Sequence, residues 1–148
     1  ILKTTELLSQ RGIPVCAHLG LTPQSINRLG GYYVQGRDLE DKNRILSEAK
    51  QLENAGAEII LLECVPASLA EEISSSIRIP TIGIGAGSAT DGQIMVCYDA
   101  IGAYSWDDQP QPKFVKNFMN ESNSIFEAFE KYVSEVKSLK FPSADNSF

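Results

Sequence analysis

One acidic residue, Glu63, directly follows the apolar run Ile59–Leu62 and precedes Cys64, Val65 and Pro66. A run of aliphatic residues ending in a charge is typical of a parallel strand that is covered on both faces. Parallel strands end in the crevice where ligands bind, and barrel enzymes carry their catalytic groups at that end. Glu63 is therefore a candidate catalytic carboxylate. The alternative is a structural carboxylate that is ion-paired inside a barrel.

A long irregular segment follows His18 and extends from Leu19 to Arg37. Loops of this length inside compact domains are usually functional. This one leaves the predicted sheet on the same face as the carboxylate, and its glycines would allow close approach of the backbone to a ligand. The alternative is a surface used for subunit packing, because Tyr32, Tyr33 and Arg37 are residue types that anchor interfaces.

A glycine-rich turn, Gly-Ile-Gly-Ala-Gly, occupies residues 83–87. Its spacing is similar to a dinucleotide-binding motif, but Ser88 stands in the place of the third glycine, which weakens that interpretation. A glycine-rich turn after a late barrel strand can also form a phosphate site. We favour close packing at the barrel mouth or contact with a ligand.

Periodicity and turn residues predict helices that alternate with strands. Helices are predicted over residues 1–11, 39–54 and 67–76, and strands over residues 15–18, 59–62, 81–85 and 93–98. A final helix begins near Ser124, and Glu127 completes its capping box. The apolar stripe of that helix comprises Ile125, Phe129, Tyr132, Val136 and Leu139.

Four strands separated largely by helices predict an α/β fold, half of a (β/α)8 TIM barrel. The chain opens at Ile1 without a methionine and already inside a helical pattern, so we expect it to be the C-terminal half, completed by a missing N-terminal half. The 148 residues are too few for a whole barrel, which needs about 250. We place the half barrel at residues 1–141 and a weakly ordered tail at residues 142–148. The alternative fold is a self-contained, doubly wound sheet of four strands.

Half a barrel has two open sheet edges, and open edges of apolar strands invite pairing. We therefore expect the missing half to be present as a second polypeptide, or a second copy of this chain to take its place.

The composition indicates a small-molecule partner. A formal charge of -6 and a pI near 4.8 argue against binding to nucleic acid or to an anionic membrane surface. No apolar stretch is long enough for a membrane helix and the first segment does not resemble a signal peptide, so we expect a cytoplasmic protein. Cys16, Cys64 and Cys97 fall in strand-like segments without metal-site spacing, which predicts buried free thiols.

Five blocks of sequence carry a family resemblance: His18–Gln24, Gly30–Arg37, Leu62–Pro66, Gly83–Gly87 and Pro112–Lys116. In order and spacing they resemble the C-terminal half of ketopantoate hydroxymethyltransferase, over essentially the whole chain. Two positions depart from the family pattern: Tyr33 stands where lysine is common, and Ala17 where glycine is common.

The resemblance implies transfer of a hydroxymethyl group from 5,10-methylenetetrahydrofolate to 3-methyl-2-oxobutanoate, which gives 2-dehydropantoate in pantothenate biosynthesis. Glu63 matches the residue that accepts the C3 proton of the oxoacid. His18 matches a substrate-binding histidine beside the substrate oxygen, and as the only histidine it is the best partner for Glu63. The alternative role for His18 is structural. Members of the family also form large homo-oligomers.

The family uses magnesium, and the resemblance places its ligands on the missing N-terminal half. We assign no metal ligand to this chain. Asp91, Asp99, Asp107 and Asp108 are interpreted as turn and surface residues, because no pair has the spacing of a shared oxygen-ligand site. The folate-binding residues are not identified. Lys113 and Lys116 could cover the folate or a neighbouring subunit, or lie on a solvated helix face.

Three hypotheses follow. In the first, this chain assembles with its N-terminal half into an active transferase. In the second, it is a non-catalytic fragment that folds and oligomerises. In the third, it belongs to a related barrel that cleaves or isomerises another small oxoacid.

Overall fold

The computed structural model describes residues 1–104, 106 and 110–148. Its α-helices are α1 (Leu2–Gln10), α2 (Ile26–Leu29), α3 (Leu39–Asn54), α4 (Ala67–Ser76), α5 (Cys97–Ala100) and α6 (Ile125–Lys137). Its strands are β1 (Cys16–Gly20), β2 (Ile59–Glu63), β3 (Thr81–Ile84) and β4 (Gly92–Gln93). Short 3-10 turns occupy Pro23–Ser25, Phe118–Glu121 and Ala144–Asn146.

The four strands form one parallel sheet in the order β1-β2-β3-β4. Because β2 and β3 occupy the centre, β1 and β4 are the sheet edges. Strand order follows chain order and helices intervene, which is the arrangement of successive units in a barrel. The predicted α/β class with four parallel strands is confirmed, and its connectivity is that of half a barrel.

The core lies on one face of the sheet, under α3 and α4. In β2, Ile60 and Leu62 are fully buried and face the helices, whereas Ile59, Leu61 and Glu63 are only partly buried on the opposite, inner face. The sequence predicted a strand covered on both faces. Within the described part of this chain, α3 and α4 cover one face, and the residues on the inner face are partly buried. The helix residues of the core are Ile45, Ala49 and Leu52 of α3 and Leu69, Ala70 and Ile73 of α4.

Strand β4 is shorter than the predicted strand over residues 93–98. It pairs with β3 only at Gly92 and Gln93, and α5 begins at Cys97. The reason is that β3 ends at Ile84 and the chain turns at Gly85, so residues beyond 94 find no strand to pair with. Val96, predicted to lie in this strand, is 50% exposed as a result.

Helix α6 packs through part of its predicted stripe against a second apolar cluster that includes Phe118 and Phe141. Phe129, Tyr132 and Val136 make these contacts, as predicted. Ile125 and Leu139 are exposed, and the prediction is wrong for both. They lie at the two ends of the helix, where the neighbouring elements no longer cover them: Ile125 opens α6, and Leu139 follows it with φ 57°.

The caps at the start of α6 follow the prediction. The Ser124 side chain accepts a hydrogen bond from the Glu127 backbone N–H at 3.2 Å, and the Glu127 carboxylate accepts one from the Asn123 backbone N–H at 2.7 Å. The first contact satisfies a backbone donor that the first helical turn leaves without a partner, and the second joins the residue before the N-cap to the helix.

The segment after Pro142 is packed against the rest of the chain, whereas the sequence predicted weak order. It forms the turn Ala144–Asn146, and the Phe148 carbonyl accepts a hydrogen bond from the Ala67 N–H at 2.9 Å. The polar composition of this segment predicted weak order, because composition contains no information about contacts with residues far away in the sequence. None of the helices in the described part of the chain combines the length and apolar character that crossing a membrane requires.

Candidate active site

His18 and Glu63 meet on the inner face of the sheet. His18 pairs in register with Leu61, and Gly20 pairs with Glu63, so His18 and Glu63 are diagonal neighbours with side chains on the same face. His18 Nε2 lies 3.1 Å from Glu63 Oε2. Their side chains are 26% and 15% exposed, so the pair is sheltered but can be reached from the open side of the sheet. The structure brings together the two residues that the sequence selected.

The His18 contact is an ion-pair distance rather than a well-directed hydrogen bond. Nε2 is buried and makes no hydrogen bond of acceptable direction within the described residues. A buried polar nitrogen without a partner is costly, and sites of this kind in native proteins often await a ligand or have a catalytic role. A nearby substrate oxygen would be one suitable partner for this nitrogen.

Gly20 makes the approach of β1 to Glu63 possible. Its φ is +86°, and a Cβ added there would lie 2.2 Å from the Glu63 carbonyl oxygen and 2.8 Å from a methyl carbon of Val65. The Leu21 N–H donates to the same Glu63 carbonyl at 2.8 Å. Glycine is therefore required at position 20 both for its conformation and for lack of space.

Cys64 follows Glu63 in the left-handed region with φ 48°, which is unusual for a residue with a side chain. Two backbone hydrogen bonds hold it: its N–H donates to the Ile84 carbonyl and its carbonyl accepts from the Gln35 N–H, both at 2.9 Å. Burial, with a smaller contribution from the Glu63 charge, raises the pKa of the Cys64 thiol to about 12. Cys64 is thus a protonated packing residue and not a nucleophile.

All three cysteines are free, as predicted, but only Cys64 is buried. Cys16 and Cys97 are exposed, and the prediction of burial is wrong for both. Cys16 lies on the uncovered inner face at the start of β1, and Cys97 begins α5 instead of continuing a strand.

The long loop after β1 returns to the site. The hydrogen bond from Gln35 to Cys64 brings it back beside the end of β2, and Gly36 packs so closely that a Cβ there would lie 2.4 Å from a methyl carbon of Leu69. Tyr32 and Tyr33 are largely exposed. The loop therefore borders the candidate site at one end and presents aromatic surface at the other, which leaves both predicted roles open.

The two departures from the family pattern lie away from the carboxylate chemistry. Ala17 is buried against the helices, on the sheet face opposite His18 and Glu63. The Tyr33 ring lies against Gly31 within the loop, and its side chain is largely exposed.

The glycine-rich turn is closely packed, as we favoured from the sequence. A Cβ at Gly85 would lie 2.9 Å from the Phe114 ring and 3.3 Å from Cys64 Sγ, and a Cβ at Gly87 would lie 2.5 Å from the Ala67 Cβ. Sequence reasoning missed this place for Phe114 beside the site. The only signal was its position in one of the blocks that resemble the family, which gave no spatial information.

Lys113 and Lys116 do not lie on a helix face. Lys113 Nζ donates to the Ser147 carbonyl, and Lys116 Nζ lies 2.6 Å from Glu135 Oε2. Lys116 also lies 4.9 Å from the centroid of the Phe118 ring. Both lysines thus connect parts of this chain, and the solvated-helix interpretation is wrong.

The acidic residues that the structure describes do not form a metal site. Among residues 1–104, 106 and 110–148, no group of three or more histidine, cysteine, aspartate or glutamate side chains is arranged to hold a metal ion. Asp91 accepts hydrogen bonds from the Thr81 N–H and hydroxyl at 2.7 and 2.9 Å, which secures a turn. Burial raises the pKa of Asp99 in α5. Asp107 and Asp108 lie outside the described residues.

Comparison with known proteins identifies the family of the chain. A protein-family model described as ketopantoate hydroxymethyltransferase matches residues 1–144. The chain is 52% identical over 148 residues to the 3-methyl-2-oxobutanoate hydroxymethyltransferase of Shewanella sp. (strain ANA-3), covering 100% of this chain and 55% of that protein.

Two further relatives carry the same name. Identity is 53% over 146 residues to the protein from Pseudomonas fluorescens (strain SBW25), covering 99% of this chain and 54% of the relative. It is 51% over 146 residues to that from Chromobacterium violaceum, with the same shares of 99% and 54%. The chain thus spans about half the length of the curated relatives it matches. On this match, the chain belongs to the ketopantoate hydroxymethyltransferase family.

Proposed function

We propose that this chain is one half of a ketopantoate hydroxymethyltransferase and is active when assembled with the N-terminal half. The assembled enzyme transfers a hydroxymethyl group from 5,10-methylenetetrahydrofolate to 3-methyl-2-oxobutanoate and gives 2-dehydropantoate. The observation that carries the proposal is the sheltered pair of Glu63 and His18, 3.1 Å apart at the carboxyl end of parallel strands, in a chain of this family.

In the proposed reaction Glu63 is the general base. It takes the proton from C3 of the oxoacid, and the electron pair of the C3–H bond forms the enolate. C3 then bonds to the one-carbon unit of the folate. One carbon–nitrogen bond of that unit breaks as the new bond forms, and water breaks the second and supplies the hydroxyl group of the product. Tetrahydrofolate leaves with the C3 proton and one proton of the water on its two nitrogens. His18 binds the substrate beside its oxygen, a role that would satisfy the buried Nε2.

Magnesium is assigned to the other half. The side chains of this chain, within its described residues, do not fit a magnesium site, because Glu63 is accompanied only by a histidine and hard cations prefer several oxygen ligands. We therefore assign no step of the proposed reaction to a metal held by this chain. The contribution of this chain is proton transfer and substrate positioning.

The N-terminal half is the proposed partner because this chain has surfaces suited to one. The inner sheet face exposes Cys16 and leaves Ile59 and Leu61 partly uncovered, next to the open edge of β1. At the other end of the chain, a depression of ≈ 730 Å³ along α6 is lined by Phe126, Phe129 and Val133 among others. Burying apolar surface of this kind against a second half would stabilise both. The proposal includes a cytoplasmic location and assembly into a large homo-oligomer.

The second candidate function is a non-catalytic fragment that folds and oligomerises. The observation in its favour is that the chain spans about half the length of its relatives, so that its own residues line only one side of the site. The open strand edges would then mediate association of copies with one another.

The base assignment can be tested by proton exchange. Glu63→Gln keeps the size of the side chain but removes the proton acceptor. In the assembly with the N-terminal half, exchange of the C3 proton of 3-methyl-2-oxobutanoate in D2O, followed by NMR, should fall at least about 100-fold. Glu71→Gln, the same change at an exposed position on α4, should leave the rate unchanged. Exchange that survives Glu63→Gln would remove Glu63 as the base.

A further inference from the structure

The last residues of the chain form a strap, defined as residues 143–148, with its own hydrogen bonds. The Asn146 N–H donates to the Ser143 carbonyl at 3.0 Å, and the Ser147 hydroxyl donates to the same carbonyl at 2.7 Å. The Ser143 hydroxyl lies 3.0 Å from Asn146 Oδ1. These hydrogen bonds hold the strap in a defined conformation, although most of its residues are small and polar.

The strap is attached to the segment that carries Phe114. The Asn146 amide donates to the Lys113 carbonyl at 3.2 Å, and Lys113 Nζ donates to the Ser147 carbonyl. The Phe148 ring meets the Phe114 ring edge-on, with centroids 6.5 Å apart and an interplanar angle of 67°. An edge-to-face aromatic pair is more stable than the burial of its apolar surface alone would make it. The contact with Phe148 therefore favours one position of the Phe114 ring.

The strap is also attached to the start of α4. The Phe148 carbonyl accepts from the N–H of Ala67, the first residue of the helix, at 2.9 Å. This N–H has no acceptor within the helix, and Pro66 provides no side-chain cap, so the strap supplies the missing acceptor. The strap therefore bridges two segments that border the end of β2.

Through Phe114 the strap reaches the residue next to the candidate base. The Phe114 ring and Cys64 Sγ both lie against Gly85, and Cys64 is 5% exposed. Cys64 holds an unfavourable backbone conformation that only surrounding contacts can maintain.

We propose that the strap is a positioning element of the active site: Phe148 holds Phe114 against Gly85 and thereby keeps Cys64, and the end of β2 that carries Glu63, in place. Phe148 touches neither Glu63 nor His18 in the described contacts, so it acts through Phe114. The strap's hold on Cys64 is independent of the proposed reaction, whereas its effect on catalysis rests on that proposal.

Alkylation of Cys64 tests the strap directly. In a Cys16→Ser, Cys97→Ser background, Cys64 is the sole thiol, so the rate of modification of the folded chain by N-ethylmaleimide reports its exposure. Phe148→Ala should raise this rate about tenfold, because local opening beside Gly85 becomes easier. Phe148→Leu, which retains apolar bulk, should restore a substantial part of the protection.

The matched control is Phe126→Ala, the same change at a phenylalanine on α6 that is 72% exposed. It should leave the alkylation rate unchanged. Far-UV circular dichroism must show that Phe148→Ala remains folded. If it does not, the deciding variant is Asn146→Ala, which removes the side-chain hydrogen bonds to the Lys113 carbonyl and the Ser143 hydroxyl. A smaller increase in the alkylation rate is expected for it. Unchanged alkylation in the folded variant would overturn the proposal.

A second readout separates the strap from the reaction. In the assembly with the N-terminal half, Phe148→Ala should lower kcat for C3 proton exchange about tenfold while KM for the oxoacid changes little, because the base is displaced rather than a substrate contact removed. Phe148→Leu should recover most of kcat. Faster alkylation without any change in kcat would overturn the positioning role. The assembly could also be inactive with the wild-type chain while the variants are alkylated as expected. That result would refute the proposed function but support the hold of the strap on Cys64.

Discussion

Glu63 and His18 meet because of the two-residue periodicity of strands and the register of one strand pair. Sequence reasoning found both residues, since a carboxylate after an apolar run and a single histidine are visible without coordinates. It did not find the burial of His18 Nε2, the left-handed conformation of Cys64 or the contact of Phe114 with Gly85. These features depend on packing between segments that are far apart in the sequence, and local patterns carry no such information.

The buried Cys64 thiol predicts a pH dependence of stability. Its pKa is raised from 9.0 to about 12, so the folded state favours the protonated thiol. The resulting stabilisation is fully present below pH 9 and is lost as pH rises from 9 towards 12. The difference in free energy of unfolding between wild type and Cys64→Ala, measured by urea denaturation, should therefore shrink by about 1 kcal/mol from pH 7.5 to pH 10.

The control for this prediction is Cys97→Ala, the same change at an exposed cysteine. If the difference between wild type and Cys64→Ala stayed constant from pH 7.5 to pH 10, the thiol would not be titrating as its burial requires.

At the scale of elements, sequence patterns located the long, strongly patterned segments best. Helices α3 and α4 and the buried positions on them follow the predicted ranges, because a 3.6-residue apolar period with caps is a local property. Strand β4 was predicted too long because its length is set by where β3 ends. The tail was predicted to be loose because its order comes from contacts with α4 and Lys113.

The junction of β1 and β2 gives a prediction for Gly20. Gly20→Ala would strain a backbone at φ +86° and place a Cβ 2.2 Å from the Glu63 carbonyl oxygen. We expect the free energy of unfolding to fall by about 2–4 kcal/mol, from the backbone conformation together with overpacking. Urea denaturation measures the change.

Gly12→Ala is the matched control for Gly20→Ala. Gly12 has φ +72° but nothing within 4 Å of the added Cβ, so only the conformational cost of about 1 kcal/mol applies. Equal losses for the two variants would show that the close approach at Glu63 does not constrain this junction.

At the scale of the whole molecule, the chain has its core under one face of the sheet and its candidate site on the other. Helices α3 and α4 cover one face of the sheet. In the part of the chain that the structure describes, the inner face is only partly buried, β1 is an edge strand and α6 has an exposed apolar side. Strand count and length predicted half of a barrel, and the four parallel strands agree with it. The family resemblance implied that the site divides, with the carboxylate on this chain and the magnesium ligands on the other half, and this stays a prediction.

We propose that this chain carries the base, Glu63, of a transferase that a second, N-terminal half completes. The most direct test is to mix the purified chain with the separately produced part of the Shewanella sp. (strain ANA-3) relative that this chain does not match. The mixture is supplied with magnesium, 5,10-methylenetetrahydrofolate and 3-methyl-2-oxobutanoate, and 2-dehydropantoate is measured. We expect product from the mixture and from neither half alone. A stable complex that forms no product, or no complex at all, would contradict the proposal.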